Sequence, residues 1–446
     1  MIRLVLLLSV LFLLAPGIAG AVPTPLRTEP ADNPAGPWVE VLSMPARPSL
    51  AAARDGGGLA LMSFRGLIYA IKGNKTGDFY SYSLTSGEWT VLNQVPEGPG
   101  LKQVKTGAGI VTAGTRSVFV VKGNNTREFY RFDADLLSWF RAPDVPYGTS
   151  GQKVKAGDMV SAPAAVGFFC YLLNCGANEF VRFWTADTQW QRLTMPANDP
   201  TGKWTKGSFL VFDGDHTIYA HKAKYHTMWT YDMLTERWSA AAIPGMPFVG
   251  RSGRSRKSKD GACGAFYNGS IYALKGGNTQ EFWRYDTATR QWAELETMPQ
   301  YGTSGARRKV KGGGDMVAAD SVLYALKGNK TREVWKYTVT SAPLRPGDRQ
   351  PGASGSAFND GRNSFAVEPN PVAAGFATLR LTGPPDRPTP WSLSVYDING
   401  RVVHSSSGPQ AATFRLDLRA VPDGVYFARL ETGGRTAVQK LTVRRE

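Results

Sequence analysis

The sequence has few of the residues that build disulfide scaffolds or metal centres. Its 446 residues include only three cysteines and four histidines. We expect Cys170, Cys175 and Cys263 to be small apolar residues of the interior, although one disulfide in an exported protein stays open. His221 and His226 flank one predicted hairpin and could hold a metal, but packing of their rings in the manner of aromatic side chains is the stronger expectation.

Sequence motifs of the common enzyme classes are also missing. The sequence has no Gly-x-Ser-x-Gly nucleophile elbow, no phosphate-binding loop and no sialidase Asp-box. The cysteine–tyrosine pair and two histidines of a copper-radical oxidase are not found in separate repeats. Nothing in the sequence requires a cofactor or a metal, so we expect a binding module more than an enzyme.

Long apolar runs are missing beyond the first residues. The apolar stretch Leu4–Leu14 follows Arg3, and the small residues Ala19-Gly20-Ala21 come after it. This order predicts a signal peptide over residues 1–21, because the stretch is too short to span a membrane. We therefore expect a mature chain without a transmembrane segment that is secreted or held at the outer cell surface.

A repeat of about 50 residues dominates the sequence. Each of five copies ends in a tryptophan, and an aromatic residue stands seven positions before it. The steps between these tryptophans are 50, 51, 48 and 54 residues. The tryptophans are Trp89, Trp139, Trp190, Trp238 and Trp292, and the aromatic residues are Tyr82, Phe132, Phe183, Tyr231 and Tyr285.

Each copy contains four predicted strands joined by turns rich in glycine, asparagine and aspartate. The first strand is rich in glycine and alanine, as in 261–267, which suits the crowded position nearest a propeller axis. The last copy, at 323–337, has no closing tryptophan, but residues 37–45 supply Trp38 from the other end of the chain. We therefore predict an all-β, six-bladed β-propeller over residues 22–340 that the N-terminal strand closes.

Two segments of the fifth copy carry a resemblance to a known repeat. These are the double glycine Gly276-Gly277 and the segment Tyr285–Trp292. Together they resemble the kelch pattern, although the other copies have KGN or have lost the double glycine. The resemblance covers about residues 37–340 and implies a kelch-type propeller.

A linker rich in proline, glycine and serine is predicted at 341–364, and strands resume over residues 365–446. Their alternating pattern predicts a small, immunoglobulin-like β-sandwich. The motifs Asn370-Pro371, Val395–Arg401, Gly424-Val425-Tyr426 and Lys440–Val443 resemble the C-terminal sorting domain of the type IX secretion system. The resemblance implies that residues 365–446 contact the secretion machinery and direct export or anchoring; an accessory sandwich is the alternative.

Recurring cations predict a basic face on the propeller. The net charge is +16, and most of the excess lies in the repeats. Strands alternate in direction, so the loop before each first strand and the turn between the second and third strands share one face. Cations there would attract an anionic ligand, and the amides of the KGN turns could donate hydrogen bonds to it. In the alternative, each lysine only packs its aliphatic stem on neighbouring repeats and caps carbonyl groups. The predicted ligand-binding residues are Arg54, Lys105, Lys155, Lys206, Lys259, Lys311, Lys72, Lys122, Lys275 and Lys327.

The sequence therefore predicts an exported module for binding or adhesion. Its expected partner is an anionic polysaccharide or a surface protein, and not a nucleic acid. The alternative is a glycan-modifying enzyme similar to kelch-type sialate mutarotases, which would use an arginine and a glutamate near the axis. A carboxylate recurs at one equivalent position of the repeat, and we interpret it as a structural partner of lysine or arginine. Its copies are Glu128, Glu179, Glu281 and Glu333.

Overall fold

A computed structural model describes residues 38–149, 151–164, 167–339, 364–368, 372–373, 375–382, 391–397, 402–408, 413–432 and 435–445. The predicted signal peptide lies outside these ranges, as does the predicted linker except for its last residue. Strands and one 3-10 turn, Ser63–Arg65, are the only regular elements in the described ranges. The predicted all-β class is confirmed. No helix of the length and apolarity that a membrane span requires occurs in the described ranges.

Six antiparallel sheets form from the described residues between 38 and 339. The first strand along the chain is β1 (Trp38–Glu40). Sheet one contains β2 (Gly58–Met62), β3 (Leu67–Ile71), β4 (Phe79–Ser83) and β5 (Trp89–Leu92). Sheet two contains β6 (Gly109–Ala113), β7 (Ser117–Val121), β8 (Phe129–Asp133) and β9 (Ser138–Ala142). Sheet three contains β10 (Gly157–Pro163), β11 (Phe168–Asn174), β12 (Glu179–Trp184) and β13 (Gln189–Leu193).

The other three sheets repeat this order. Sheet four contains β14 (Phe209–Phe212), β15 (Thr217–Lys222), β16 (Thr227–Asp232), β17 (Arg237–Trp238) and β18 (Ile243–Pro244), of which β18 also pairs with β16. Sheet five contains β19 (Cys263–Tyr267), β20 (Ser270–Leu274), β21 (Phe282–Asp286) and β22 (Gln291–Glu294). Sheet six contains β23 (Asp315–Ala319), β24 (Val322–Leu326), β25 (Val334–Thr338) and β1.

The sheets close into a ring through their first strands. β2 contacts β6, and the contacts continue through β10, β14, β19 and β23 back to β2. The second and third strands are buried on both faces, as in β3 and β20, because a neighbouring sheet packs on each side. In the outermost strands, such as β9, exposed side chains are interspersed with half-buried ones. This arrangement is the β-propeller that the repeat predicts.

The closing tryptophans join neighbouring sheets. An indole N–H packed between two sheets needs an acceptor, and the loop after the preceding sheet supplies a backbone carbonyl. Trp139 Nε1 donates to the Asn93 carbonyl at 2.7 Å, and Trp38 Nε1 donates to the Glu296 carbonyl at 3.0 Å. β1 pairs antiparallel with β25 and places Trp38 opposite Tyr337. The predicted closure by the N-terminal strand is confirmed.

The C-terminal strands form two further sheets. The strands are β26 (Ser364–Glu368), β27 (Phe376–Thr382), β28 (Trp391–Asp397), β29 (Val402–Gly408), β30 (Thr413–Asp417), β31 (Gly424–Thr432) and β32 (Arg435–Val443). One sheet has the order β26-β27-β30 and the other β29-β28-β31-β32. Alternate side chains of the strands, including Leu393, Val395, Leu416 and Leu430, form one apolar core. The predicted small β-sandwich is confirmed.

Candidate ligand-binding face

The loops before the first strands form a tight ring around the propeller axis. In each loop a glycine follows the recurring cation by one or two residues. Gly56 has φ +85°, and a Cβ there would overlap the carbonyl of Lys105 in the next loop. Only glycine allows this approach, which explains the Lys-x-Gly pattern through the backbone. This backbone contact explains the glycine of the pattern, but it gives no structural role to the charged end of the lysine or arginine side chain.

An axial channel of about 360 Å³ passes between the first strands. Asp158 of sheet three and Asp315 of sheet six line it, from sheets that are opposite in a ring of six. Each carboxylate accepts a backbone N–H of the next sheet at 2.7 Å, Asp158 from Leu210 and Asp315 from Leu59. Burial raises the pKa of Asp158 to about 6 and that of Asp315 to about 7, and the charge of Asp158 adds to the second shift.

Lys206 bridges two loops at the mouth of this channel. Its Nζ lies 3.0 Å from Asp55 Oδ1 and 2.9 Å from Asp260 Oδ2. Both carboxylates approach Gly312 closely, where a Cβ would overlap them. Burial raises the pKa of Asp260, and the nearby Lys206 opposes the shift. Lys206 therefore forms an ion pair with both aspartates but offsets only one of their two negative charges, and the charge of Lys311 also lowers the pKa of Asp260.

A pocket of about 480 Å³ opens at the same mouth. Three exposed cations line it, namely Arg54, Lys311 and Lys330, together with the partly buried Arg308. Within the described part of the chain, none of these four is in an ion pair. The pocket is therefore lined by more positive than negative charge, and its free charges are all positive.

The structure corrects the predicted exposure of four lysines in the turns between second and third strands. Their side chains are fully buried in ion pairs, so they cannot contact a large ligand. Lys122 Nζ lies 2.7 Å from Glu128 Oε2 and 5.6 Å from the centre of the Tyr130 ring. A buried ammonium group is tolerable only with such a partner. The four pairs are Lys72–Asp78, Lys122–Glu128, Lys275–Glu281 and Lys327–Glu333.

The predicted structural role of the recurring glutamates is confirmed. Glu128, Glu281 and Glu333 hold these buried lysines, and Glu179 lies 3.5 Å from Arg192. The amides of the KGN turns are also occupied, contrary to expectation. In the first turn, Asn74 N–H donates to the Asp55 carbonyl at 3.0 Å and Lys75 N–H donates to the Val104 carbonyl at 2.9 Å. These amides bind neighbouring loops and are not available to a ligand.

The remaining six predicted residues divide into two groups. Arg54, Lys206 and Lys311 meet at the pocket, although Lys206 is already bound by aspartates. Lys105, Lys155 and Lys259 occupy the same ring of loops but do not line the pocket. Lys155 and Lys259 are exposed and Lys105 is half-buried. They contribute a long-range field, which salt screens.

Sequence reasoning missed Arg308 and the axial aspartates. The signal for Asp158 and Asp315 was an acidic residue inside strands otherwise rich in glycine and alanine. The signal for Arg308 was a loop two residues longer than its counterpart, YGTSGARRKVK (301–311) against YGTSGQKVK (147–155). Neither signal shows that the side chains converge on one axis.

The cysteines and the candidate metal-binding histidines have packing roles. Cys170, Cys175 and Cys263 are buried and unpaired, and burial raises the pKa of Cys175 to about 12. The His221 ring stacks on Phe209 with centroids 4.9 Å apart, and Nε2 accepts the Met246 N–H. Burial lowers the pKa of His221 to about 3. The expected aromatic-like packing of His221 is confirmed.

The family of secretion system C-terminal sorting domains matches residues 366–444. Residues 366–444 are a secretion sorting domain. The protein is therefore exported or attached to the cell surface, as the sequence predicts. The match covers the sorting domain alone and assigns no activity to the propeller.

Other comparisons concern the fold of the propeller. Comparison with the curated proteins finds no match. Among solved structures, the chain is similar to the protein YjhT, with 11% identity over 67% of this chain and 95% of that one and a TM-score of 0.47. It is also similar to a copper-bound fungal alcohol oxidase of the AA5 family, with 13% identity over 87% and 85% of the two chains and a TM-score of 0.46. Identities of this size carry no activity from one protein to another.

Proposed function

We propose that the exported propeller binds an anionic glycan at the mouth of its axial channel. The observation that carries the proposal is the charge balance of the pocket. Five cations and two aspartates line it, and among the described residues both ion pairs of the aspartates are with Lys206, whereas Arg54, Lys311 and Lys330 form none. An anion that enters the pocket would therefore meet cations that form no ion pair with a carboxylate of the described residues.

The size and lining of the pocket favour a sugar. Its volume of about 480 Å³ lies within the range of small-molecule pockets. The charged side chains of the pocket are the groups that can bind an acidic sugar, and no aromatic side chain is among its lining residues. Nucleobase recognition relies on aromatic stacking, so this lining suits an acidic sugar better than a single-stranded nucleic acid. Adhesion through a surface glycan agrees with export by the sorting domain.

Retention on immobilised polygalacturonate tests the proposal. We expect the protein to bind at low salt and to elute at moderate salt, because the contacts are charge-assisted. The variant Arg54→Gln/Lys311→Gln should elute at clearly lower salt. Lys105→Gln/Lys155→Gln is the matched control, since it removes the same charge from the same ring of loops outside the pocket. No retention at low salt, or an equal shift in both variants, would overturn the proposal.

A second candidate function rests on the two channel aspartates. Carboxyl groups with pKa values of about 6 and about 7 can exchange protons near neutral pH. They lie in the channel that shares Lys206 and Asp260 with the pocket. This observation favours the alternative of a glycan-modifying enzyme, such as one acting like a sialate mutarotase. Turnover of sialic acids or uronates that Asp158→Asn/Asp315→Asn abolishes, with glycan retention unchanged, would establish it.

A further inference from the structure

A hairpin at 300–308, before the first strand of sheet six, brings Arg308 to the pocket. Arg308 N–H donates to the Gln300 carbonyl at 2.9 Å and closes the base of the hairpin. The Arg308 side chain lines the pocket beside Arg54 and Lys311. The place of this side chain in the pocket therefore depends on how the hairpin is held.

The guanidinium group of Arg308 is not bound by another charge of the protein. Among the residues that the structure describes, no carboxylate forms an ion pair with it. Its Nε is buried and has no hydrogen-bond partner. A planar guanidinium can bind both oxygens of one carboxylate, which an ammonium group cannot do in the same geometry. The carboxylate of an acidic sugar is therefore the group that suits Arg308.

Glu40 holds the tip of this hairpin. Thr303 N–H donates to Glu40 Oε2 at 2.7 Å, and Thr303 Oγ1 donates to Glu40 Oε1 at 2.8 Å. Hydrogen bonds to a carboxylate are about twice as strong as neutral ones. The backbone also lies directly on the carboxylate, because a Cβ at Gly302 would overlap Glu40 Oε2. The position of the tip is thus fixed by two charge-assisted bonds and a close contact.

Glu40 is the last residue of β1, the strand that closes the ring. It lies opposite Trp335 of β25 and is 263 residues from Thr303 in the chain. The residue that holds the hairpin therefore reaches it only when β1 is paired with the last sheet. Closure of the ring and the geometry of the pocket are linked through this contact.

We propose that Glu40 is a positioning residue that holds Arg308 at the pocket, so that docking of β1 completes the site for the carboxylate of an acidic sugar. The inference rests on the proposed function. Glu40 does not line the pocket, so it acts through the hairpin. A hairpin that is already fixed loses less conformational entropy when the ligand binds. The closed ring therefore binds acidic sugars more tightly than a ring in which this contact is missing.

Sheet five contains a matched hairpin that does not reach the pocket. Glu294 and Glu40 each stand two residues after the closing tryptophan of their sheet. Glu294 accepts the Arg251 N–H of the hairpin at 248–256, as Glu40 accepts the N–H of the hairpin in sheet six. No residue of 248–256 lines the pocket. Glu294→Ala therefore removes an equivalent contact and the same charge without affecting a pocket residue.

Affinity for trigalacturonate, measured by isothermal titration calorimetry on the full chain, tests the proposal. Arg308→Gln should bind about tenfold more weakly, the scale of one charge-assisted contact. Arg308→Lys should also bind more weakly than wild type, because lysine keeps the charge but lacks the planar fork. Glu40→Ala should weaken binding at least about threefold. Circular dichroism checks that each variant is folded at the temperature of the titration.

The sign of the Glu40→Ala effect separates position from charge. This variant removes a negative charge, so an effect of the electrostatic field alone would strengthen the binding of an anion. Weaker binding therefore reports the loss of the hairpin contact. Glu40→Gln keeps an acceptor oxygen for Thr303 N–H, and both Glu40→Gln and Glu294→Ala should bind within about twofold of wild type.

A double variant tests whether Glu40 acts through Arg308. Glu40→Ala/Arg308→Gln should bind within about twofold of Arg308→Gln alone, because the contact has no effect once the guanidinium is gone. Hydrogen exchange followed by mass spectrometry gives a readout without ligand. Exchange over 300–308 should be faster in Glu40→Ala, and exchange over 248–256 should be faster in Glu294→Ala.

The outcomes distinguish this inference from the proposed function. Binding by Glu40→Ala that equals or exceeds that of wild type, additive losses in the double variant, or unchanged exchange over 300–308 overturns the role of Glu40. If Arg54→Gln/Lys311→Gln still weakens binding in that case, the proposed function stands without it. A wild type that binds neither trigalacturonate nor polygalacturonate overturns the proposed function and this inference with it.

Discussion

Replacing Trp38 with alanine tests whether the N-terminal strand holds the ring closed. The Trp38 side chain is only 6% exposed and packs on Phe282 and Tyr337, with ring centroids 4.9 Å and 5.1 Å away. Its indole N–H donates to the Glu296 carbonyl at 3.0 Å. Truncation of a buried tryptophan costs about 3–5 kcal/mol, and the lost hydrogen bond lies within that figure. We therefore expect the free energy of unfolding to fall by about 4 kcal/mol.

Chemical unfolding followed by tryptophan fluorescence and circular dichroism measures this loss. Val39→Ala on the same strand is the matched control, because the Val39 side chain is 51% exposed. Its effect should stay within about 0.5 kcal/mol. Deletion of residues 22–45 should destabilise the propeller further, since it removes all of β1. Equal, small effects of Trp38→Ala and Val39→Ala would refute the reasoning that this strand closes the ring.

Two further predictions concern buried charges. Asp315 has its pKa raised from 3.8 to about 7, so wild-type stability should fall as pH rises from about 4 to 7. The asparagine of Asp315→Asn cannot ionise, so the stability of this variant relative to wild type should rise by up to about 4 kcal/mol between about pH 4 and pH 7. Unfolding at several pH values measures the difference. A difference that does not depend on pH would contradict the prediction. Glu333→Ala leaves the buried Lys327 unpaired and should lower the free energy of unfolding by about 3–5 kcal/mol. Lys330→Ala, at an exposed position, is the control and should change it little. Similar losses in the two variants would show that the buried pair is not needed.

The sequence alone predicted the propeller and its closure because both are encoded by a repeated local pattern. Each tryptophan is spaced so that its indole meets the loop of the preceding sheet, and this relation recurs with the period of the repeat. Trp38 followed the same rule from the other end of the chain, so its place opposite Tyr337 could be predicted. The sorting domain was recognisable for a similar reason, since its motifs are local.

The sequence showed less readily which lysines are buried in ion pairs and which are exposed. Lys72 and Lys311 both recur beside glycine in polar turns, yet Lys72 is buried and Lys311 is exposed. The cause is a carboxylate six residues later, Asp78, that the fold places beside Lys72 Nζ at 2.8 Å. Among the described residues, no carboxylate forms an ion pair with Lys311, although its charge acts on Asp260. Burial of a charge depends on its partner, and a search for that spacing would have separated the two sets.

The repeat determined the fold class and the closing strand, and the motifs of the C-terminal domain determined the route of export. Only the tertiary structure decided which charges remain available at the axis. Lys206 and Asp55 are 151 residues apart in the chain and meet at 3.0 Å, and Asp158 and Asp315 line one channel from opposite sheets. A propeller brings the same position of every repeat to one axis, so the charge balance there is the sum of all six sheets. That sum leaves Arg54, Lys311 and Lys330 free of carboxylate partners among the described residues and makes them the centre of the proposed binding site.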